Sequence, residues 1–533
     1  MERVSDVLVL LMGLMLAVAA IAGLARRFAV SYPIALVIFG LLCSLLPRVP
    51  RIPLPPSIVF LVILPPLLYI AAWKTSWRDF KYNLVSISSL AVLLVFFTAI
   101  GVAFAASWWL PGFDWRLGFL LGAVVSPTDA VAATSIARKV GMPQRIVDLL
   151  EGESLLNDAT GLLALEFGVE MVVQGIRPTL SRGLLEFAWL TIGGLLVGGV
   201  IGLAVIWIER WVDDGPVEIA VSLIVPYAAY LAGDAIKASG VIAVVACGLL
   251  VSRQSSNFYS PRVRLQALAV WDALEFLLNG LVFVLIGLQL PYVLAGIRAQ
   301  SKLELLAYGL GFSATLVLLR MVWMYPAAQI AWWVRTRIVR QNYQRPQPSQ
   351  IFVVGWTGMR GVVALAAANS LPLTLSDGRP FPQRSFIIYL TFSLILVTLV
   401  FQGLSLPWLV RKLGLARTDT GLCEEGEARH LLLQAAIEFL NERRSAVSGG
   451  HEAHLYEDLL HEYQHKIAEI EGCGPETQTS GRETASPTMG GVLLETIRRE
   501  REELNLLRAT GRIGDNIHRN LERELDLSES RLA

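Results

Sequence analysis

Two polar runs, Ser126-Pro127-Thr128-Asp129 and Glu151-Gly152-Glu153-Ser154-Leu155-Leu156-Asn157-Asp158, interrupt stretches that otherwise read as apolar helix. A carboxylate at the centre of a bilayer costs roughly 2.5–3.5 kcal/mol on insertion scales, so acids are rare there and mark ion pathways. Here several acids and an amide stand close together, beside a proline that removes a backbone donor and breaks its helix. Ionisable groups at membrane depth next to irregular backbone are the way transporters build ion sites.

The rest of the chain fits that setting. Of 533 residues, 54% are hydrophobic and only 17% charged, against about 25% charged in soluble domains. Residues 1–412 are mostly apolar, whereas 413–533 are dense in Glu, Arg and Lys. The expected organisation is a polytopic all-α membrane domain over 1–412 and a water-facing regulatory tail over 413–533. A net charge of +1 with no long basic face argues against nucleic acid and leaves the lipid bilayer as the expected partner. All six histidines lie in the tail, which removes imidazole zinc sites and Ser-His pairs from the membrane domain. Four scattered cysteines without C-x-x-C spacing read as free thiols.

Spans of about 17–25 apolar residues can be placed at 6–25, 30–47, 56–73, 83–110, 116–138, 147–174, 184–210, 217–235, 239–253, 268–294, 303–335, 350–372 and 385–411. Only Asp234 and Lys237 separate the eighth from the ninth. The run Val7–Ala22 reads as an uncleaved first helix, because its leading region is not net positive and Arg26-Arg27 follow it. Lys and Arg are more numerous on the side shared with the tail. The positive-inside rule therefore predicts an outside amino terminus and a cytoplasmic tail. Arg320 and Arg360 fall inside spans, Arg360 among three glycines in Gly355-Trp356-Thr357-Gly358-Met359-Arg360-Gly361. Two intramembrane cations opposite several intramembrane acids predict buried ion pairs.

In the fifth span Pro127 frees the carbonyl of Ala123, and Ser126, Thr128 and Asp129 add hydroxyl and carboxylate oxygens nearby. Hard monovalent cations are held by such oxygens. In the sixth span Ser154 and Asp158 stand four apart and share a face, as do Glu153 and Asn157 on the adjacent stripe. That spacing turns Asp158 toward the fifth span and Glu153 toward a cationic neighbour. Glu151 stands near the start of its span, by the water interface. Glu166 and Glu170 approach the far end and read as lining an entrance or meeting water.

These runs, with Ala130-Val131-Ala132, Ala159 and Gly358-Met359-Arg360-Gly361, resemble the monovalent cation/proton antiporter family of bacterial sodium/proton antiporters and animal sodium/proton exchangers. The likeness covers about residues 6–412 and leaves the tail outside. It implies inverted repeats, two broken helices crossing at mid-membrane near Pro127 and Gly358, and a homodimer in the plasma (bacterial inner) membrane. It also implies that Asp158 carries sodium with Asp129, Thr128 and Ser154, that Asn157 belongs to the ion-binding set as an oxygen ligand, and that no cofactor is needed beyond the transported ions. Glu153 and Arg320 match the family's ion pair, and Arg360 its charge at the second crossing. Asn157-Asp158, in place of Asp-Asp, matches the electroneutral subtypes.

The expected function is sodium/proton exchange at one shared carboxylate, with lithium as a further substrate and potassium in place of sodium as the main alternative. An intramembrane aspartyl protease using Asp129 and Asp158 as a dyad lacks a Gly-x-Gly-Asp run, and a channel lacks a carbonyl-lined filter loop. In the tail, 427–445 and 489–507 read as helices and 447–450 and 473–490 as linkers. His451, His454, His461 and His465 stand at helical spacing, as a solvated face or a pH-sensing patch. The tail is the expected place for a regulatory ligand or for contact with the other protomer.

Overall fold

A computed structural model describes residues 2–28, 30–46, 54–175, 179–212, 214–297, 301–341, 343–416, 420–446, 451–470 and 487–532. Among them the regular secondary structure is helical, apart from one isolated bridge between Thr374 and Pro380. The apolar part comprises α1 (Glu2–Arg27), α2 (Tyr32–Ser44), α3 (Ile58–Lys74), α4 (Trp77–Trp109), α5 (Trp115–Val125), α6 (Ala130–Val140) and α7 (Gln144–Val173). It continues through α8 (Leu180–Glu209), α9 (Gly215–Ala235), α10 (Gly240–Phe258), α11 (Pro261–Ala295), α12 (Lys302–Ile338), α13 (Pro348–Trp356), α14 (Val362–Ser370) and α15 (Arg384–Lys412). Each of the apolar segments read from the sequence falls on one of these helices or on a helix pair. By length and composition, six described helices can cross a membrane, or seven if the bent pair α5–α6 forms one span.

Helix α8 shows the membrane character most plainly: Leu185 is 74% and Val200 66% exposed on its outer surface. Leucine and valine on an outward face belong against lipid rather than water. Around the site the helices approach closely. A Cβ at Gly118 or Gly122 of α5 would come within 2.8 or 2.6 Å of the Cα of Ala103 or Ala99 on α4. Small residues four apart let two backbones touch where packing replaces the hydrophobic effect. The thin hinge after α9 is a tight turn, with Lys237 in the left-handed region at φ 54° and its amide donating to the carbonyl of Asp234.

The chain divides into two compact units, residues 1–254 with 270–417, and 418–533 with the short stretch 255–269. The second unit holds α16 (Thr420–Ala446), α17 (His451–Ile470), α18 (Pro487–Ala509) and α19 (Asp515–Ser530). Leu432, Leu504, Leu521 and Leu525 form one of its cores, and Leu440, Leu459 and Tyr463 part of another. Helix α18 begins at Pro487, where the sequence reading continued a linker to 490; the rest of that linker and 447–450 lie outside the described residues. Within this unit Arg264 contacts Glu522 at 2.6 Å and Asp526 at 2.9 Å, and Arg501 contacts Asp526 at 2.9 Å and Glu529 at 2.7 Å. Of the expected histidine patch, His454 is exposed and lies 3.5 Å from Glu457.

The histidine with an unusual setting is instead His518. It is 1% exposed, hydrogen-bonds to Asn505 Oδ1 at 3.0 Å, and is held down to about 4 by burial, which Glu522 partly offsets. Its neutral ring therefore stabilises the unit fully above the ordinary value of 6.5, and that contribution is lost as pH falls toward 4. Glu500 acts in the other direction: burial pushes its carboxyl up to about 8, so its contribution is lost as pH rises from 4.5 through 8. In hydrogen exchange on the full chain, corrected for intrinsic rates, protection of α18 and α19 in the wild type relative to His518→Gln is expected to fall between pH 6.5 and 5, because Glu500 contributes alike to both proteins. Equal pH dependence in the wild type and His518→Gln would exclude the imidazole as a contributor.

Candidate functional site

Helices α5 and α6 form a pair bent by 45° at a break of no more than four residues. Pro127 sits in that break and cannot donate to the preceding turn. The Ala123 carbonyl, expected to be free for an ion, is taken by the Ser126 hydroxyl at 3.1 Å. Asp129 caps α6 by accepting from the Val131 amide at 2.8 Å. Its own amide donates to the carbonyl of Met359 at 2.8 Å. Met359 lies in a second break, between α13 and α14, so the two interruptions are joined backbone to backbone.

Arg360 serves the same junction. It is 2% exposed and makes no ion pair among the described residues. Nε donates to the Val125 carbonyl at 3.0 Å, Nη1 to the Gly358 carbonyl, and the amide to Thr398 Oγ1 at 3.2 Å. The guanidinium thus lies at the carboxyl end of α5, the negative end of its dipole. The glycines of this break permit close approach as well as a bend: a Cβ on Gly361 would meet the Asp129 carboxylate at 2.7 Å, and one on Gly358 the Arg320 guanidinium carbon at 2.9 Å.

Arg320 on α12 holds Glu153 on α7 through two contacts, Nη1 to Oε1 at 2.6 Å and Nη2 to Oε2 at 2.9 Å. Both residues are at most 2% exposed. Arg320 also donates to the carbonyls of Val354 and Gly355 at the end of α13, each at 3.2 Å. From Glu153 the network continues to the first break. Thr128 Oγ1 donates to Glu153 Oε1 at 2.9 Å, and Asn157 Nδ2 donates to Thr128 Oγ1 at 2.7 Å and to its carbonyl at 3.2 Å. Ser154 Oγ donates to the same carbonyl at 3.0 Å and accepts from the Ala130 amide at 3.3 Å.

A cavity of about 240 Å³ opens against this network, and Thr128, Asp129, Ser154 and Asp158 all line it. Asp158 is 5% exposed, and among the described residues no group hydrogen-bonds to its carboxylate. Four residues bearing hydroxyl or carboxylate oxygens around one small space suit a hard monovalent cation. Asn157 stands elsewhere. It does not line the cavity, its nitrogen is committed to Thr128, and its Oδ1 is buried without a partner. Its place is in the wall behind the cavity, where it positions the Thr128 turn. Glu151 pairs with Arg138 at 2.5 Å and also lines the cavity; Glu166 is exposed, and Glu170 contacts Arg182 at 3.2 Å.

Tyr32, Lys74, Glu275 and Asn279 line the same cavity, and the sequence reading did not select them. Glu275 carried a usable signal, being an acid inside the apolar run 268–294, which is the criterion that selected Asp158. Lys74 carried none, because it reads as an ordinary loop cation at the end of its span.

Residues 14–412 match the family described as "Sodium/hydrogen exchanger, transmembrane". The chain is 32% identical over 535 residues to an uncharacterized Na(+)/H(+) exchanger of Mycobacterium bovis, covering 98% of this chain and 96% of that one. It is 33% identical over 476 residues to a protein of Bacillus pumilus named as a sodium, potassium, lithium and rubidium/H(+) antiporter, covering 86% of this chain and 69% of that one. Its fold is similar to the sodium proton antiporter MjNhaP1 from Methanocaldococcus jannaschii, with a TM-score of 0.58 at 17% identity over 78% of this chain and 100% of the other. The chain belongs to the sodium/hydrogen exchanger family of monovalent cation/proton antiporters.

Removing one partner of a buried pair leaves the other charge alone and costs about 3–5 kcal/mol. Glu153→Gln and Arg320→Met should each lower the melting temperature in detergent markedly. Arg320→Met is expected to be the more harmful, since it also takes a donor from the Gly355 carbonyl, whereas Val354 keeps the Thr357 hydroxyl. The double variant should recover part of the loss; strict additivity of the two single losses would show that the pair is not energetically coupled.

Proposed function

We propose that this protein exchanges sodium for protons, one for one, with Asp158 as the shared carrier. The observation that carries this reading is the Asp158 carboxylate, buried, without a hydrogen-bond donor among the described residues, and facing a cavity shared with Thr128, Asp129 and Ser154. Ionised, Asp158 binds a sodium ion with help from those oxygens. Protonated, it returns without one. Both loaded forms neutralise the buried charge, whereas the bare anion is costly to move through a low-dielectric barrier. That difference couples the two fluxes as the site faces each side in turn.

In this reading the thirteen apolar segments form thirteen spans arranged as inverted repeats. The amino terminus is outside, the tail is cytoplasmic, and two copies associate in the plasma membrane. Asn157 acts through Thr128 and brings no second ionisable proton to Asp158, which supports balanced exchange. Potassium as a co-substrate is the second reading, favoured by the cation range in the name of the Bacillus pumilus relative.

Everted vesicles under an imposed pH gradient test the proposal, with sodium, lithium and potassium added in turn. Wild-type protein should dissipate the gradient on addition of sodium, and Asp158→Asn should not, although it still assembles. Exchange by Asp158→Asn at the wild-type rate would exclude Asp158 as carrier, and a response confined to potassium would replace sodium as substrate. A membrane potential does work of about 2.3 kcal/mol per charge per 100 mV on net charge moved. Clamping the potential should leave the final gradient unchanged; a gradient that follows the potential would rule out one-for-one exchange.

A further inference from the structure

The mouth of the Asp158 cavity carries charges that the exchange step does not use. Lys74, the last residue of α3, reaches across to α11, where its Nζ lies 2.6 Å from Glu275 Oε2 and 2.7 Å from Asp272 Oδ1. Lys74 and Glu275 are 33% and 29% exposed, and both line the cavity that the more buried Asp158 also lines. One cation against two carboxylates leaves this cluster with one unbalanced negative charge, while the neighbouring Arg138–Glu151 pair is balanced. A net negative charge at the entrance of a low-dielectric cleft concentrates cations there.

A second observation comes from Asn279, one turn beyond Glu275 on the same face of α11. It is 3% exposed and lines the cavity, and its amide nitrogen has no hydrogen-bond partner among the described residues. Burying a donor without an acceptor is costly, so such a group in a native structure calls for an explanation. The oxygen of the same amide makes no hydrogen bond among the described residues and is not fully buried, and it is the hard type of ligand an alkali cation takes beside Glu275.

We infer that Glu275 is a loading carboxylate for the incoming alkali cation on its way to Asp158, with Lys74 as a tethered competitor for the same position. The lysine ammonium is a compact charge on a flexible stem. It can leave Glu275 and keep Asp272 as its partner, so a sodium ion replaces one contact without stranding the ammonium. Glu275 with a partly hydrated ion and Asn279 then forms the first station. Asp158 with Asp129, Thr128 and Ser154 forms the second. This inference rests on the reading of Asp158 as the exchange carboxylate.

The two residues of the contact are expected to act with opposite sign, which separates competition from a merely structural ion pair. Sodium-dependent proton release is measured in vesicles across a range of sodium concentrations, with Asp158→Asn run in parallel. Exposed pairs are screened, so Glu275→Gln should raise the sodium concentration for half-maximal exchange by about three- to fivefold, with a smaller change in maximal rate. Glu275→Asp should restore much of the affinity. Lys74→Met should lower the half-maximal concentration, because the competitor is gone. Shifts of the same sign in Glu275→Gln and Lys74→Met, or no shift in Glu275→Gln, would overturn the inference while leaving Asp158 in place. Exchange by Asp158→Asn would instead overturn the reading beneath it. Should Glu275→Gln fail to reach the membrane, Lys74→Met decides alone: a lowered value supports the competition, and an unchanged or raised value refutes it.

Discussion

A helix broken inside a bilayer leaves carbonyl oxygens that no water reaches, and every other feature of this site follows from how those oxygens are satisfied. Two arginines supply part of this, beside the side chains of Ser126, Ser154, Asn157 and Thr357 and the Asp129 amide. Arg360 donates to Val125 and Gly358, and Arg320 to Val354 and Gly355. A guanidinium offers five donors in a rigid fork, so one side chain can cap a helix end and still hold a carboxylate. Lysine offers no such planar arrangement. The broken backbone and the buried positive charge therefore require one another.

The negative side of the site is graded by the same logic. Glu153 has a full set of partners in Arg320 and Thr128, and it anchors the first break to α7. Asp129 caps a helix, so its carboxylate is tied to the Val131 amide while one face remains on the cavity. Asp158 has no donor among the described residues and faces the cavity directly. Among these buried carboxyl groups, Asp158 is the one left unpaired among the described residues, while Glu153 and Asp129 are held by neighbouring donors. Glycines at 358 and 361 make the arrangement possible, because any side chain there would occupy the space of the Arg320 guanidinium or the Asp129 carboxylate.

The carboxyl-terminal unit depends on a different balance. Its helices hide apolar faces, but they also bury Arg264, Glu522 and Asp526 together. A buried charge set of this kind adds little net stability, but removing one member leaves the others uncompensated, so its contacts tie the segments together. It explains why the stretch 255–269, which precedes the apolar body of α11, groups with residues more than two hundred positions away.

The amino-acid sequence by itself determined where the helices run and where two of them break, because apolar runs, prolines and glycines act over a few residues. It also determined which acids and hydroxyls could meet, since Ser154 and Asp158 share a face by helical spacing alone. Other features were decided only by the tertiary structure. The direction of Asn157 depends on the turn at Thr128, from another segment, which turns its amide away from the cavity. The contact of Lys74 with Glu275 joins residues 201 positions apart, and that of Arg264 with Glu522 joins residues 258 apart. His518 resembles the other tail histidines in sequence and differs only in the burial that packing of α18 and α19 imposes. Pairings over such distances are set by how whole helices stack, and helical periodicity carries no record of which face will meet which.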